Sequence, residues 1–140
     1  MKSACEGSRD IIDRFESGAI SPEAFHHSDH VRLAFAYLCE FATLEALEKF
    51  RTALKRFAAL HGKAELYNET ITCAYLFLIR ERMYRDGSTD WENFARCNRD
   101  LLMWKDGILS RYYKESTLKS EVARSVFVFP DRCLQPERTG

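Results

Sequence analysis

The stretch Ile71–Ile79, ITCAYLFLI, constrains this chain more than any other. It is apolar nearly all round, so its neighbours must cover every side of it. Isoleucine, threonine and aromatics also suit a buried strand. The charged continuation RERMYRD and the length of the whole segment, Leu66–Arg85, favour a helix instead, buried at the centre of a bundle. The run Cys73–Ile79 is far too short to cross a bilayer, which takes about 20 apolar residues.

Turn signals divide the remainder into further helices. Ser8 is placed to cap a first helix through Phe15, ended by Gly18. Ser21-Pro22 opens a short turn over Glu23–His26, and Ser28 or Asp29 is placed to cap a second helix. There Val31, Ala34, Phe35, Leu38 and Phe41 recur at helical spacing. Thr43 caps a third, with a stripe of Leu44, Leu47, Phe50, Leu54, Phe57 and Leu60, and Gly62 closes it. Asp90 caps a short helix over Trp91–Cys97, and Asn98 the next, through Trp104. ILSRYY resumes after Gly107, and Ser116 or Ser120 starts a last helix through Arg124. VFVFPD reads as an extended segment lying back over the bundle, with a mobile tail over 132–140. These elements make an all-α fold: a single helical domain over 1–140, one compact bundle of about five to seven helices.

Lys plus Arg and Asp plus Glu each number 21, a balance that argues against a nucleic-acid binder. MKSACEGSRDIIDRF becomes charged before an apolar signal region can form. The cysteines Cys5, Cys39, Cys73, Cys97 and Cys133 are scattered and never form C-x-x-C. They read as reduced thiols in a cytoplasmic protein that needs no membrane.

Chemistry concentrates in two places. AFHHSDHVRLAFAYL holds His26, His27 and His30. On a helix, His27 and His30 three apart approach one another, and imidazole suits zinc, iron, copper or nickel. A solvated or backbone-bonded helix start accounts for them equally. LYNETITCAYL places Tyr67, Asn68, Glu69 and Thr70 where the apolar helix opens. Asn68 suits an N-cap, and Glu69 in the first turn suits the helix dipole. If Glu69 faces His27 and His30, the three form a two-histidine, one-carboxylate set with open positions for water or substrate. His61 reads as a helix end and Cys73 as a core thiol. Arg111, Tyr112, Tyr113 and Arg124 suit an anionic ligand or ordinary surface packing.

FHHSDHVRLAFAYL, LYNETIT and ILSRYYKESTLKSEVARSVFVFPD together resemble a family of small bacterial helical proteins for which no activity is established. The likeness runs from about Phe15 to Asp131. It implies functional weight at His27, His30, Glu69 and Thr70, less strictly at Tyr67, and at Arg111, Tyr112, Arg124, Pro130 and Asp131. The departure is Asn68, where the family pattern has histidine. Asparagine is a poor ligand for a borderline metal but a good helix cap.

Two functions stay open on this reading. One is a small enzyme or ligand-binding protein with a His27/His30/Glu69 pocket, acting on a small molecule through proton transfer or a divalent metal such as zinc, iron or nickel. Tyr67, Asn68, Thr70, Arg111, Tyr112 and Arg124 would then contact the ligand. The other is a non-catalytic helical interaction module, in which the same residues fix helix packing. The sequence does not set the oligomeric state.

Overall fold

The computed structural model describes residues 7–88 and 90–132. Helix α1, Ser8–Glu16, turns Ile12 and Phe15 inward. Gly7 in the left-handed region takes its N-cap. Ser8, expected there, is instead buried and donates its hydroxyl to the Glu40 carboxylate. A 3₁₀ turn, Pro22–Ala24, leads to α2, His27–Glu40. The α2 cap is His26 rather than Ser28 or Asp29. Asp29 lies at the third helical position and its carboxylate accepts the His26 N–H at 2.9 Å, the returning half of a capping box. Val31 and Leu33–Leu38 are all buried, because this stretch carries no charge beyond Arg32.

Helix α3, Thr43–Leu60, follows Ala42 as cap. Only the middle of its expected stripe is core: Phe50 and Leu54 are buried, whereas Leu44 (72% exposed) and Leu60 (65%) lie beyond the neighbours' reach. Helix α4, Glu69–Asp86, confirms the helical reading of ITCAYLFLI and ends at Gly87, φ +63°. Tyr75, Leu76 and Ile79 are buried, but Leu78 is half-buried and Phe77 is 42% exposed, so one side of α4 stays uncovered. The better enclosed helix is α2, with α1, α3 and α4 packed around it. In turn α4 supports α3, α5 (Trp91–Cys97), α7 (Glu121–Ser125) and a 3₁₀ turn at Ile108–Arg111. Asp90 caps α5 as expected, accepting from the Asn93 N–H. The Asn98–Trp104 region is a 3₁₀ turn, Arg99–Leu102, not an α-helix. The last helix, α7, starts from Ser120, one of its two expected caps, whose hydroxyl accepts the Ala123 N–H, and a separate helix, α6 (Glu115–Leu118), precedes it.

The described residues are thus all-α, without strands. None of their helices is long and apolar enough to cross a membrane. Beyond α7 the chain runs back as a strap over 126–132. The Thr70 hydroxyl donates to the Val126 carbonyl at 2.9 Å and accepts the Val128 N–H at 3.0 Å. The Tyr113 hydroxyl donates to the Val128 carbonyl at 2.6 Å. The Asp131 carboxylate accepts the Lys114 N–H and the Thr117 hydroxyl, which hold its pKa down. Arg132, expected in a mobile tail, is anchored: its N–H meets the Tyr112 carbonyl and its guanidinium the Ser110 carbonyl. The rest of that tail, 133–140, lies outside the described residues.

The cysteines are not all the reduced thiols that their scatter suggests. Cys73 and Cys97 are free thiols, but Cys39 is disulfide-bonded. Cys5 and Cys133 lie outside the described residues. Spacing along the chain does not say which sulfurs meet in space.

Candidate functional site

The start of α4 is a knot of polar bonds. The Asn68 side-chain oxygen accepts the Ile71 N–H at 2.9 Å, and its amide donates to the Leu118 carbonyl at 2.7 Å. One residue thus caps α4 and ties it to the end of α6. Glu69 turns toward α3. Arg51 donates from Nε at 3.0 Å and lies 3.0 Å away through Nη2, both to Oε2, while the Tyr67 hydroxyl donates to Oε1 at 2.7 Å. Arg51 also meets Glu48 at 3.2 Å. Burial, helped by the bond to Glu69, pushes the Tyr67 hydroxyl pKa up. The hydrogen bond to Glu69 raises the Arg51 pKa further. Cys73, one turn on and buried, has its thiol pushed up to about 11 by burial and then by the Glu69 charge. Thr70 is fully buried beneath the strap.

The start of α2 is different. His27 Nε2 lies 2.9 Å from the Leu101 carbonyl, so Nε2 carries the proton, and the ring packs against Tyr75 at 4.9 Å and Trp104 at 5.1 Å. Burial lowers the His27 pKa, and the bond to Leu101 opposes that only in part. His30 Nδ1 donates to the His26 carbonyl at 3.1 Å, and its ring rests on Phe25 at 4.2 Å. Burial brings its pKa down to about 4, from 6.5. Both imidazoles are therefore neutral at pH 7.

The histidines and Glu69 do not share partners. Tyr75, which meets His27, follows Glu69 by six residues, about 120° around the helix from it. That angle turns the carboxylate to α3 and leaves the imidazole on another side. Among the described residues no group of three or more His, Cys, Asp or Glu is arranged to hold a metal ion, so the expected His27/His30/Glu69 ligand set is not assembled. Arg111, Tyr112 and Arg124 are engaged with different partners. Arg111 reaches Asp100 at 4.0 Å, Arg124 pairs with Glu121 on its own helix, and Tyr112 is bonded through its backbone to Leu109 and Arg132. Two open grooves, of about 290 and 330 Å³, flank α1, and neither is lined by His27, His30 or Glu69.

Sequence reasoning missed a second knot. Arg82 donates to Asp100 through both Nη atoms, at 3.0 and 2.8 Å, and to the Asn98 side-chain oxygen Oδ1 at 2.8 Å. Buried Asn98 donates in turn to Asp86 at 2.7 Å and to the Phe94 carbonyl at 2.9 Å. These hydrogen bonds from Arg82 hold the Asp100 carboxyl below its ordinary range. The knot docks the loop after α5 onto α4. The sequence carries no mark that would pair Arg82 with Asp100 or Arg51 with Glu69. Compared with family models, curated proteins and solved structures, the chain matches none.

Proposed function

We propose that this chain is a non-catalytic helical interaction module whose polar residues at the starts of α2 and α4 build the fold. One observation carries the reading. Three consecutive side chains, Asn68, Glu69 and Thr70, each bond a different part of the bundle: the end of α6, α3 and the strap. A reactive carboxylate needs a face free for substrate. Here Arg51 and Tyr67 occupy both Glu69 oxygens. Among its exposed side chains are apolar ones: Met103, Trp104, Val122, Val126 and Phe129 are each more than half exposed. The exposed Phe129 ring stands beside Phe127, centroids 5.5 Å apart, as apolar side chains at a contact surface do, and the balanced charge supports a protein partner over nucleic acid.

Tag-free protein is assayed for metal by mass spectrometry and for bound small molecules under native conditions, beside melts of His27→Gln and Glu69→Gln. Neither metal nor small molecule is expected at stoichiometric level, and both variants should melt lower. A stoichiometric ligand that disappears in either variant, while that variant melts like the parent, would overturn the reading.

A second reading keeps the small-molecule site but centres it on His27 alone. Its support is the fixed tautomer: with the proton on Nε2, Nδ1 is left as an acceptor beside the exposed Trp104. Quenching of Trp104 by a panel of small weak acids, abolished by His27→Gln, would favour it.

A further inference from the structure

The strap has two unlike edges. In extended backbone, the N–H and C=O of one residue point to the same side and those of the next residue to the other. The Val126 carbonyl and both backbone groups of Val128 face inward, onto Thr70 and Tyr113. Phe127 and Phe129 therefore turn theirs outward, and these groups have no hydrogen-bond partner among the described residues. The two rings share one face, with centroids 5.5 Å apart, and Phe129 is 80% exposed. Pro130 lacks an N–H but occupies an inward position, so it does not interrupt the outer edge.

We infer that a second copy of this chain pairs with this edge, residues 127–129 of two protomers meeting antiparallel about a two-fold axis at Val128. The inference deepens the interaction-module reading and rests on it. The edge is complementary to itself. With Val128 on the axis, Phe127 lies opposite Phe129 of the partner subunit, and the reverse. Both are hydrogen-bonded pairs, giving about four backbone bonds in all. The same register brings the four phenyl rings to one face as cross-strand aromatic pairs. An unrelated strand would match the backbone groups but would need its own aromatics in step. A closed two-fold contact also uses up the edge, and the zero net charge opposes no such approach. So short a ribbon makes a small interface, hence a weak dimer.

Sedimentation equilibrium of the full chain, up to about 1 mM, the range of weak complexes, tests this. The mass should rise from 16.3 kDa toward twice that value. Phe127→Pro, which removes an outward N–H and leaves the Thr70 bonds alone, should hold it at the monomer. A parent that stays monomeric, or a folded Phe127→Pro that dimerises equally well, overturns the pairing. If Phe127→Pro does not fold, Val128→Cys decides. Residues facing across the axis have Cα atoms about 4.5 Å apart, within disulfide range. Mild oxidation should then give a covalent dimer whose peptide map shows a 128–128 disulfide, apart from any cross-link through exposed Cys97, and no such linked peptide overturns the pairing. A monomer free of metal and small molecule would remove this partner and leave the module reading standing. A stoichiometric ligand that disappears in His27→Gln or Glu69→Gln, while the variant melts like the parent, would remove the reading itself.

Discussion

The starts of α2 and α4 look alike in the sequence: polar residues, then an apolar helix. In the fold they do opposite things. At α4 the side chains of Asn68, Glu69 and Thr70 reach out of their own turn and bond Leu118, Arg51 and the strap. At α2, His30 bonds the carbonyl of His26 and stacks on Phe25, and His27 reaches one carbonyl and two aromatic rings. The first is a cross-link made by charge and directional hydrogen bonds, and the second is a neutral patch made by packing. Residue type at a helix start does not tell these apart; what stands opposite does.

The contrast breaks most visibly at Thr70. Thr70→Val keeps the shape but deprives the Val126 carbonyl and the Val128 N–H of their partner. A urea titration should show a loss of about 2–3 kcal/mol, since each buried polar group left unpaired costs about 1–3 kcal/mol. Proteolysis within 126–130 should quicken in the same variant. A stable variant with an intact strap would show that Thr70 holds nothing.

Glu69→Gln should cost about 1–2 kcal/mol, less than a fully buried pair, because the Glu69 and Arg51 side chains keep 14% and 26% exposure. Arg51→Gln should cost a similar amount, and the double variant less than the sum. Strict additivity would mean that the pair is not coupled.

Asn68→His sharpens the comparison by placing an α2-type residue in the α4 start. Loss of the cap should lower stability by about 1 kcal/mol. Zinc and nickel affinity should stay unchanged, because position 68 faces Ile71 and Leu118 rather than His27. A tenfold gain in metal affinity would mean that the two starts do meet.

The smallest effect at pH 7 is expected for His30→Phe, which keeps the stack on Phe25. Its signature is pH dependence. The folded His30 has a pKa of about 4 against 6.5 for the free side chain, so between those values the unfolded chain binds a proton that the folded chain refuses. Its contribution is complete above pH 6.5 and is lost as pH falls toward 4, with a slope of at most about 1.4 kcal/mol per pH unit. The variant should flatten that slope. Melts with the same acid dependence as the parent would show that His30 is not the group that titrates.

Much of the fold was legible in the sequence because helices announce themselves locally. Asp90 and Asn68 cap where their type and position say they should, and ITCAYLFLI followed by RERMYRD reads as a helix. The strap was legible too, since a β-branched and aromatic run ending in proline has no helix to continue. The site was not. Whether Glu69 faces His27 or Arg51 depends on a rotation of α4 about its own axis, and nearly all-round apolarity leaves that rotation unmarked. The same uniformity hid the bare side at Phe77. His26, outside the expected ligand set, is the α2 cap, with Asp29 at the third helical position reaching back to its N–H.

Cys73 gives the molecule an internal clock. Only a thiolate is alkylated, and a pKa of about 11 leaves roughly 0.1% of it at pH 8. Exposed Cys97 should label at once under those conditions. Cys73 should label only when the first turns of α4 swing away from α3, so its lag behind Cys97 counts those openings. Mass-resolved alkylation would read that lag directly. In Glu69→Gln, where the hold of Arg51 on α4 is loosened, the lag should shorten along with the fall in melting temperature.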